Sequence, residues 1–284
     1  MGLLPGGYWD ATGRLHREFE LAVLTGREEE LLATTRGRSA ALVTEVLSRC
    51  VSRLGDISPV PPAVAQRLLV ADRQYLLLAL RQASFGDRVQ ANLICPWPDC
   101  GERVSVDFSI VDVPVYPAEN PAPVHTMTLA QGQEVSFRLP TGADQEELSE
   151  GLADNEAQTL TRLLTRCVQR IGPTGPPSER QMAELPAADR LAIEERMRQV
   201  APRVEQTIEA KCAECGRTFV APFDIHRLFF GELRTDANLL YQEVHYLAYH
   251  YHWSERDIMD MNRDRRRTYI ELLADAIEVL NGDT

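Results

Sequence analysis

The chain lacks most of the patterns that mark a reaction centre, and each absence removes a class of function. It has no H-E-x-x-H pair and no H-x-E joined to P-C-x-x-C, the arrangements that carry catalytic zinc on a helix or in a deaminase fold. It has no G-x-S-x-G elbow to hold a serine nucleophile. The glycines at 2, 6 and 7, and the stretch Gly172-Pro-Thr-Gly175, do not open onto the helix that a phosphate-cradling loop needs. No coiled-coil or low-complexity segment is present. The longest apolar run, Tyr75 to Leu80, is far short of the roughly 20 residues of a membrane span. Positive charge is also in deficit: 30 Lys and Arg against 42 Asp and Glu give a net charge of −12, the opposite of a general nucleic-acid-binding surface. The locally basic run Arg263-Asp-Arg265-Arg266-Arg267 falls near the start of a helix and reads as a solvated or partner-facing surface.

What is present fits a folded protein of a reducing compartment. With 284 residues, 44% hydrophobic and 25% charged, the chain can build one large or two modest cores. The opening Met1-Gly-Leu-Leu-Pro-Gly-Gly-Tyr-Trp-Asp has no basic segment followed by an apolar one, so a secretory leader is not expected and a cytoplasmic location is.

The most informative feature is a pair of cysteine knuckles more than a hundred residues apart. The first is Cys95-Pro-Trp-Pro-Asp-Cys100-Gly101 and the second Cys212-Ala-Glu-Cys215-Gly216. Phe108 and Ile110 follow Cys100 at the same distances as Phe223 and Ile225 follow Cys215, and alternating runs at 89–94 and 204–210 lead into the two knuckles. Two turns that each offer two thiolates are the parts of a zinc ribbon, because tetrahedral zinc takes four soft ligands and a closed set leaves no open position. Cys95, Cys100, Cys212 and Cys215 are therefore the expected ligands of one structural Zn2+. Four intervening residues in the first knuckle exceed the usual two, and the Pro96-Trp97-Pro98 insert is expected to loop out. Two local disulfides, or four thiols that never meet, are the alternatives. A catalytic zinc would bring in histidine or carboxylate, and only His226 lies close. Cys50 and Cys167 fall on apolar helical stripes and are expected in cores.

The periodicity predicts an α+β protein, mainly helical, with a small zinc-ribbon-like β module built from the two knuckles. A Gly/Pro-rich arm leads to a strand around Phe19 to Val23. Thr25 and Glu28 form a capping box, Ser39 caps a helix that ends at Gly55, and Pro62 opens a helix running to about Ser84. A hairpin is expected over 127–139, a helical region from Asp144 past Cys167 to Ile171, a linker at 172–177, and a helix over 187–200. Caps at Asp236, Ser254 and Asn262 organise a helical C-terminal part. Four segments follow: 1–88 (arm, strand and helices), 89–143 (first knuckle and β-rich stretch), 144–203 (helical insert with the linker) and 204–284 (second knuckle and C-terminal helices). The histidines at 245, 250 and 252 point in different directions on a helix and do not form a ligand set. No catalytic residues are identified, and an enzyme is not expected.

Several stretches together resemble one family: Gly13-Arg-Leu-His-Arg-Glu18 with Leu24-Thr-Gly-Arg-Glu-Glu-Glu-Leu-Leu32, Asp72-Arg-Gln-Tyr-Leu-Leu-Leu-Ala-Leu-Arg81 with Phe85-Gly86-Asp87, the first knuckle, and the segment 243–255 with Asp257-Ile258 and 265–272. In this order they are similar to the baseplate hub assembly proteins (hub assembly chaperones) of contractile-tailed phages and of phage-tail-like contractile injection systems. The resemblance implies a non-enzymatic role in assembling a baseplate or hub, with hub or baseplate proteins as partners and no membrane or nucleic acid. Tyr241, Tyr246, Tyr249, Tyr251 and Trp253 could then anchor a partner interface, or equally pack in a core. A zinc-dependent hydrolase and a zinc-ribbon nucleic-acid adaptor are the readings from other classes.

Overall fold

The computed structural model describes residues 2–35, 40–149, 155–232 and 237–282. The chain is an α+β protein in which helical residues outnumber strand residues. It divides into two interleaved units, 1–20 with 39–76 and 111–206, and 21–38 with 77–110 and 207–284. Among the described residues no helix is long and apolar enough to cross a membrane.

In the first unit the Gly/Pro-rich arm is itself a strand. β1 (Gly2–Trp9), β2 (Leu15–Leu21) and β3 (Val51–Leu54) form one sheet in that order. The arm is held by a buried carboxylate: the Gly6 and Gly7 amides donate to the two oxygens of Asp72 at 2.7 and 2.9 Å. A β-carbon at Gly6 would sit 2.6 Å from a Leu69 methyl and 2.9 Å from the Pro202 ring, so a larger residue there would have to displace those side chains. The helix expected to reach Gly55 stops earlier. α2 (Ala40–Cys50) gives way to β3, because residues 51–54 complete the sheet; Gly55, at φ +57°, makes the turn beyond it. The proposed Ser39 cap lies outside the described residues.

Pro62 opens α3 (Pro62–Arg67) as expected, but the helix breaks before α4 (Val70–Phe85). The Leu68 carbonyl accepts from the Gly142 amide at 3.0 Å, and the Val70 amide donates to the Pro140 carbonyl at 3.3 Å. Tertiary pairing overrides helical continuation there. The expected hairpin is present as β7 (His125–Thr128) and β8 (Glu134–Phe137). The helical region expected from Asp144 to Ile171 contains α5 (Gly142–Leu148) and α6 (Glu156–Cys167), but its end is a strand, β9 (Val168–Ile171), which pairs with β8. Asn155 caps α6, its side-chain oxygen accepting from the Gln158 amide at 3.0 Å. After the linker come α7 (Glu179–Glu184) and α8 (Ala187–Val200), the latter spanning the expected residues. Phe137, Leu164, Cys167, Ile193 and Met197 share the core between these elements. The alternating run 204–210 is split: β10 (Arg203–Val204) pairs with β6 (Val115–Tyr116), and the remainder belongs to the second unit.

Asp144 is another buried carboxylate of this unit. It accepts from the Arg138 guanidinium at 2.6 and 2.8 Å, from Arg166 at 2.9 Å and from the Thr141 amide at 2.9 Å. Burial alone would raise its carboxyl, but Arg138, the Thr141 amide and Arg166 hold it well below the usual range.

In the second unit α1 (Gly26–Thr34) begins with the expected Thr25/Glu28 capping box. Its Glu29 is buried and accepts from Arg263 at 2.9 and 3.1 Å and from Arg266 at 2.8 Å. The Arg266 guanidinium, fully buried, also reaches Glu243 at 3.0 Å and the Met261 carbonyl at 2.8 Å. This corrects the surface reading of the 263–267 run: Arg266 and Arg263 are internal ion-pair partners, while Arg265 and Arg267 are exposed. α10 (Ala237–Tyr251), α11 (Glu255–Met259) and α12 (Arg263–Gly282) carry these groups. Ser254 caps α11, and Asn262 accepts from the Arg265 amide at 2.9 Å. The proposed Asp236 cap lies outside the described residues.

Burial raises the Asp72 carboxyl from its ordinary 3.8 to about 6, against the pull of the Gly6 and Gly7 amides. Below the lower value both folded and unfolded chains are protonated there. Between the two values the folded chain holds the extra proton, so stability falls as pH rises through that window. Comparing Asp72→Asn with the parent by urea unfolding isolates this contribution: between pH 3.8 and 6 the slope of stability against pH should be more positive in the variant than in the parent. Equal slopes would assign no titration to Asp72.

Candidate metal centre

Each knuckle closes a two-stranded antiparallel ribbon. β4 (Arg88–Ile94) pairs with β5 (Arg103–Ser109), and β11 (Thr207–Lys211) pairs with β12 (Thr218–Pro222). Equivalent bonds seal the two turns: the Cys95 amide donates to the Glu102 carbonyl at 2.9 Å, and the Cys212 amide to the Arg217 carbonyl at 3.0 Å. Gly101 and Gly216 sit at φ +66° and +71°, the left-handed region that the turn requires directly after its second cysteine. The matched positions downstream also meet, with Phe108 and Phe223 edge-to-face at 5.2 Å. The repeat visible in the sequence is thus a repeat in space.

The long first knuckle is accommodated as expected. The Cys100 and Gly101 amides both donate back to the Trp97 carbonyl, at 2.9 and 3.1 Å, which folds the extra residues into the turn. Trp97 is capped by the Arg217 guanidinium, 4.7 Å from the ring centre, and Arg217 also bonds Asp99 at 2.6 Å. This clasp between the two knuckles joins residues 118 positions apart. No spacing rule would have found it.

The four sulfurs converge. The Sγ atoms of Cys95 and Cys215 lie 3.8 Å apart, those of Cys100 and Cys212 3.7 Å apart, and all four within 4.8 Å of one another. A disulfide would need about 2.05 Å. A tetrahedron of sulfurs with metal–sulfur bonds of about 2.3 Å has edges of about 3.8 Å. The observed pairs are at the tetrahedral edge and far from a covalent bond, so this group could bind a metal. Cys95 and Cys212 are buried and the other two half-buried, within an apolar shell that includes Val104, Ala210, Phe219 and Ala221. The group contains no histidine or carboxylate. Cys50 and Cys167 are buried apart from it, as expected.

The electrostatics of the bare thiols are uneven. The Arg217 amide, and next its guanidinium, bring Cys215 down to about 6. Cys100 is pushed up to about 12: the Glu102 amide lowers it, but desolvation and the neighbouring sulfurs outweigh that. Desolvation likewise raises Cys95. Four thiolates at these distances repel one another, so complete ionisation needs a cation among them.

The aromatic C-terminal segment lies on and after α10. Tyr249 is 68% exposed and Tyr241 is also exposed, while Tyr246, Tyr251 and Trp253 are partly covered. Tyr251 and Trp253 stack at 4.6 Å against the cluster of Leu240, Leu247 and Ile258. The histidines pair with tyrosines, His245 with Tyr249 and Tyr246 with His250, and do not converge.

A family model described as T4 bacteriophage base plate protein matches residues 14–230. That span takes in both knuckles and the linker at 172–177, although neither the second knuckle nor the linker carried the resemblance drawn from the sequence. It ends before the aromatic segment. No curated protein and no solved structure matches the chain.

The sulfur separations make a direct prediction about covalent state. In denaturant without reductant, all six cysteines should take up an alkylating reagent, counted by mass spectrometry. Protection of two or four of them would mean disulfides at the knuckles.

Proposed function

Because the chain belongs to the T4 bacteriophage base plate protein family, we propose that it is a non-enzymatic assembly factor or minor structural component of a phage or contractile-injection-system baseplate or hub, stabilised by a structural zinc. The family match carries this reading, and the knuckle geometry gives it a physical form. An all-sulfur set at tetrahedral spacing suits zinc in a structural role, since catalytic zinc keeps one position for water and commonly uses histidine or carboxylate. Cys95, Cys100, Cys212 and Cys215 would hold the ion, and the ion would supply the charge that lets all four thiols ionise. The chain's own residues do the rest: Arg217 and Asp99 clasp the two turns, and the apolar shell buries Cys95 and Cys212.

The expected partners are baseplate or hub proteins with basic surfaces, met in the bacterial cytoplasm during assembly, because the chain carries a net charge of −12. The same charge disfavours the nucleic-acid adaptor, and the closed sulfur set disfavours the hydrolase. Tyr241, Tyr246 and Tyr249 form the more accessible part of the proposed partner surface; Tyr251 and Trp253 would support it from beneath.

Two experiments test the halves of this proposal. Cys100→Ser should lose the one bound zinc per chain and melt at lower temperature while keeping its helical circular dichroism, because the cores outside the ribbons do not contain the sulfurs. Structural zinc is worth on the order of 10 kcal/mol in small zinc peptides, and less is expected where other cores persist. Unchanged zinc content and melting in the variant would remove the metal from the account. For the function, a tagged copy expressed in the native host should recover hub or baseplate proteins. Recovery in the soluble fraction marks an assembly factor, and presence in sedimented particles marks a component. Recovery of neither would overturn the assignment.

A further inference from the structure

The first unit holds a cavity of about 370 Å3 where the end of β1, the break between α3 and α4, the 118–123 segment and the start of β7 meet. That is the size of a small-ligand site, and such sites are mostly apolar with a few placed polar groups. Tyr8, Trp9, Pro123 and Leu139 are among the walls, and Val200 at the end of α8 closes one side.

The ionisable groups of the lining are of one sign. Arg67, Arg138 and His125 line the cavity and no aspartate or glutamate does, although the chain carries 42 acids against 30 bases. Asp72 is fully buried and does not line the space. Arg138 is already committed, since both its terminal nitrogens bond Asp144. Arg67 is not: exposed in the last turn of α3, it has no hydrogen bond or ion pair among the described residues. The buried His125 Nε2 also lacks a partner. Burial, and next the positive charge of Arg196, lower the His125 imidazole, so the ring is neutral at pH 7. One cationic fork and one imidazole nitrogen beside an apolar recess are thus unused by the chain itself.

We propose that this cavity binds an apolar acid, a carboxylate carried on an aromatic or branched aliphatic body. The planar guanidinium of Arg67 matches the two oxygens of a carboxylate, and the tautomer of His125 with its proton on Nε2 is a second donor. The body of the ligand packs against Tyr8, Trp9 and Leu139. A phosphate would call for a second free cation, and Arg138 is spent on Asp144. An uncharged ligand would leave Arg67 unused. A free organic acid and the last residue of a partner chain offer the same chemistry.

Fluorine NMR of the full chain labelled with fluorotryptophan tests this, because only one of its 3 tryptophans, Trp9, lines the cavity. Trp9→Phe assigns that signal. Titration with N-acetylphenylalanine should move it saturably, with a Kd of about a millimolar or lower, and leave the Trp97 and Trp253 signals in place. The uncharged amide of the same compound should bind roughly tenfold more weakly, and so should the acid to Arg67→Ala. Arg67→Lys should keep part of the affinity. Arg67 is exposed, and unchanged melting confirms that both variants are folded. A peptide ending in phenylalanine separates the two sources: binding tighter than that of the single residue marks a chain terminus as the ligand, and weaker binding marks a free acid. No saturable shift at Trp9, equal binding of acid and amide, or affinity indifferent to Arg67→Ala would each overturn the proposal. The measurement uses the chain alone, so failure to recover baseplate proteins from the host leaves its outcome untouched.

Discussion

The convergence of four sulfurs is the constraint on which the knuckle module depends. Two short ribbons, each too small to be stable alone, meet at Cys95, Cys100, Cys212 and Cys215, the sulfur pairs in contact being 112 and 120 positions apart in the chain. Bringing such distant points together costs chain entropy, roughly 4–5 kcal/mol for a closed loop of about a hundred residues. The Phe108–Phe223 contact and the Arg217–Asp99–Trp97 clasp offset part of that cost. A cation among the thiolates would offset the remainder and relieve their mutual repulsion. The left-handed glycines at 101 and 216 then follow as a requirement of the turn rather than a decoration of it.

Away from the sulfurs, buried carboxylates do the work of positioning. Glu29 fixes Arg263 and Arg266 of the last helix, Asp144 gathers Arg138 and Arg166, and Asp72 fastens the first strand through two backbone amides. Each satisfies several donors at once, which is the condition under which a buried charge is tolerated. Removing one partner from such a group typically costs about 3–5 kcal/mol, because the survivor is left charged and unpaired. The hydrogen bonds of these groups are filled by the protein itself.

Much of this was legible in the sequence where the signal is local. The Thr25/Glu28 box, Pro62 at a helix start, the 125–137 hairpin, the 187–200 helix and the Ser254 cap all depend on neighbours within a few residues, and all appear. The paired knuckles were legible because they repeat with the same downstream phenylalanines. What was not legible depends on distant partners. Residues 51–54 and 168–171 continue helical patterns in the sequence but become strands, because the edges of β2 and β8 are there to receive them. The break at Leu68–Leu69 is dictated by Pro140 and Gly142, and the 204–210 run is divided because Tyr116 and Val115 pair with its first residues. Arg266 reads as surface in any one-dimensional pattern; Glu29, 237 positions away, together with Glu243 and the Met261 carbonyl, makes it internal.

The most direct test of the central claim is X-ray absorption at the zinc edge on protein purified without chelator. A first shell of four sulfurs at about 2.3 Å with no lighter neighbour is expected. A nitrogen or oxygen in that shell would mean an open or mixed site, and protein that folds with no zinc at all would contradict the metal-stapled ribbon outright.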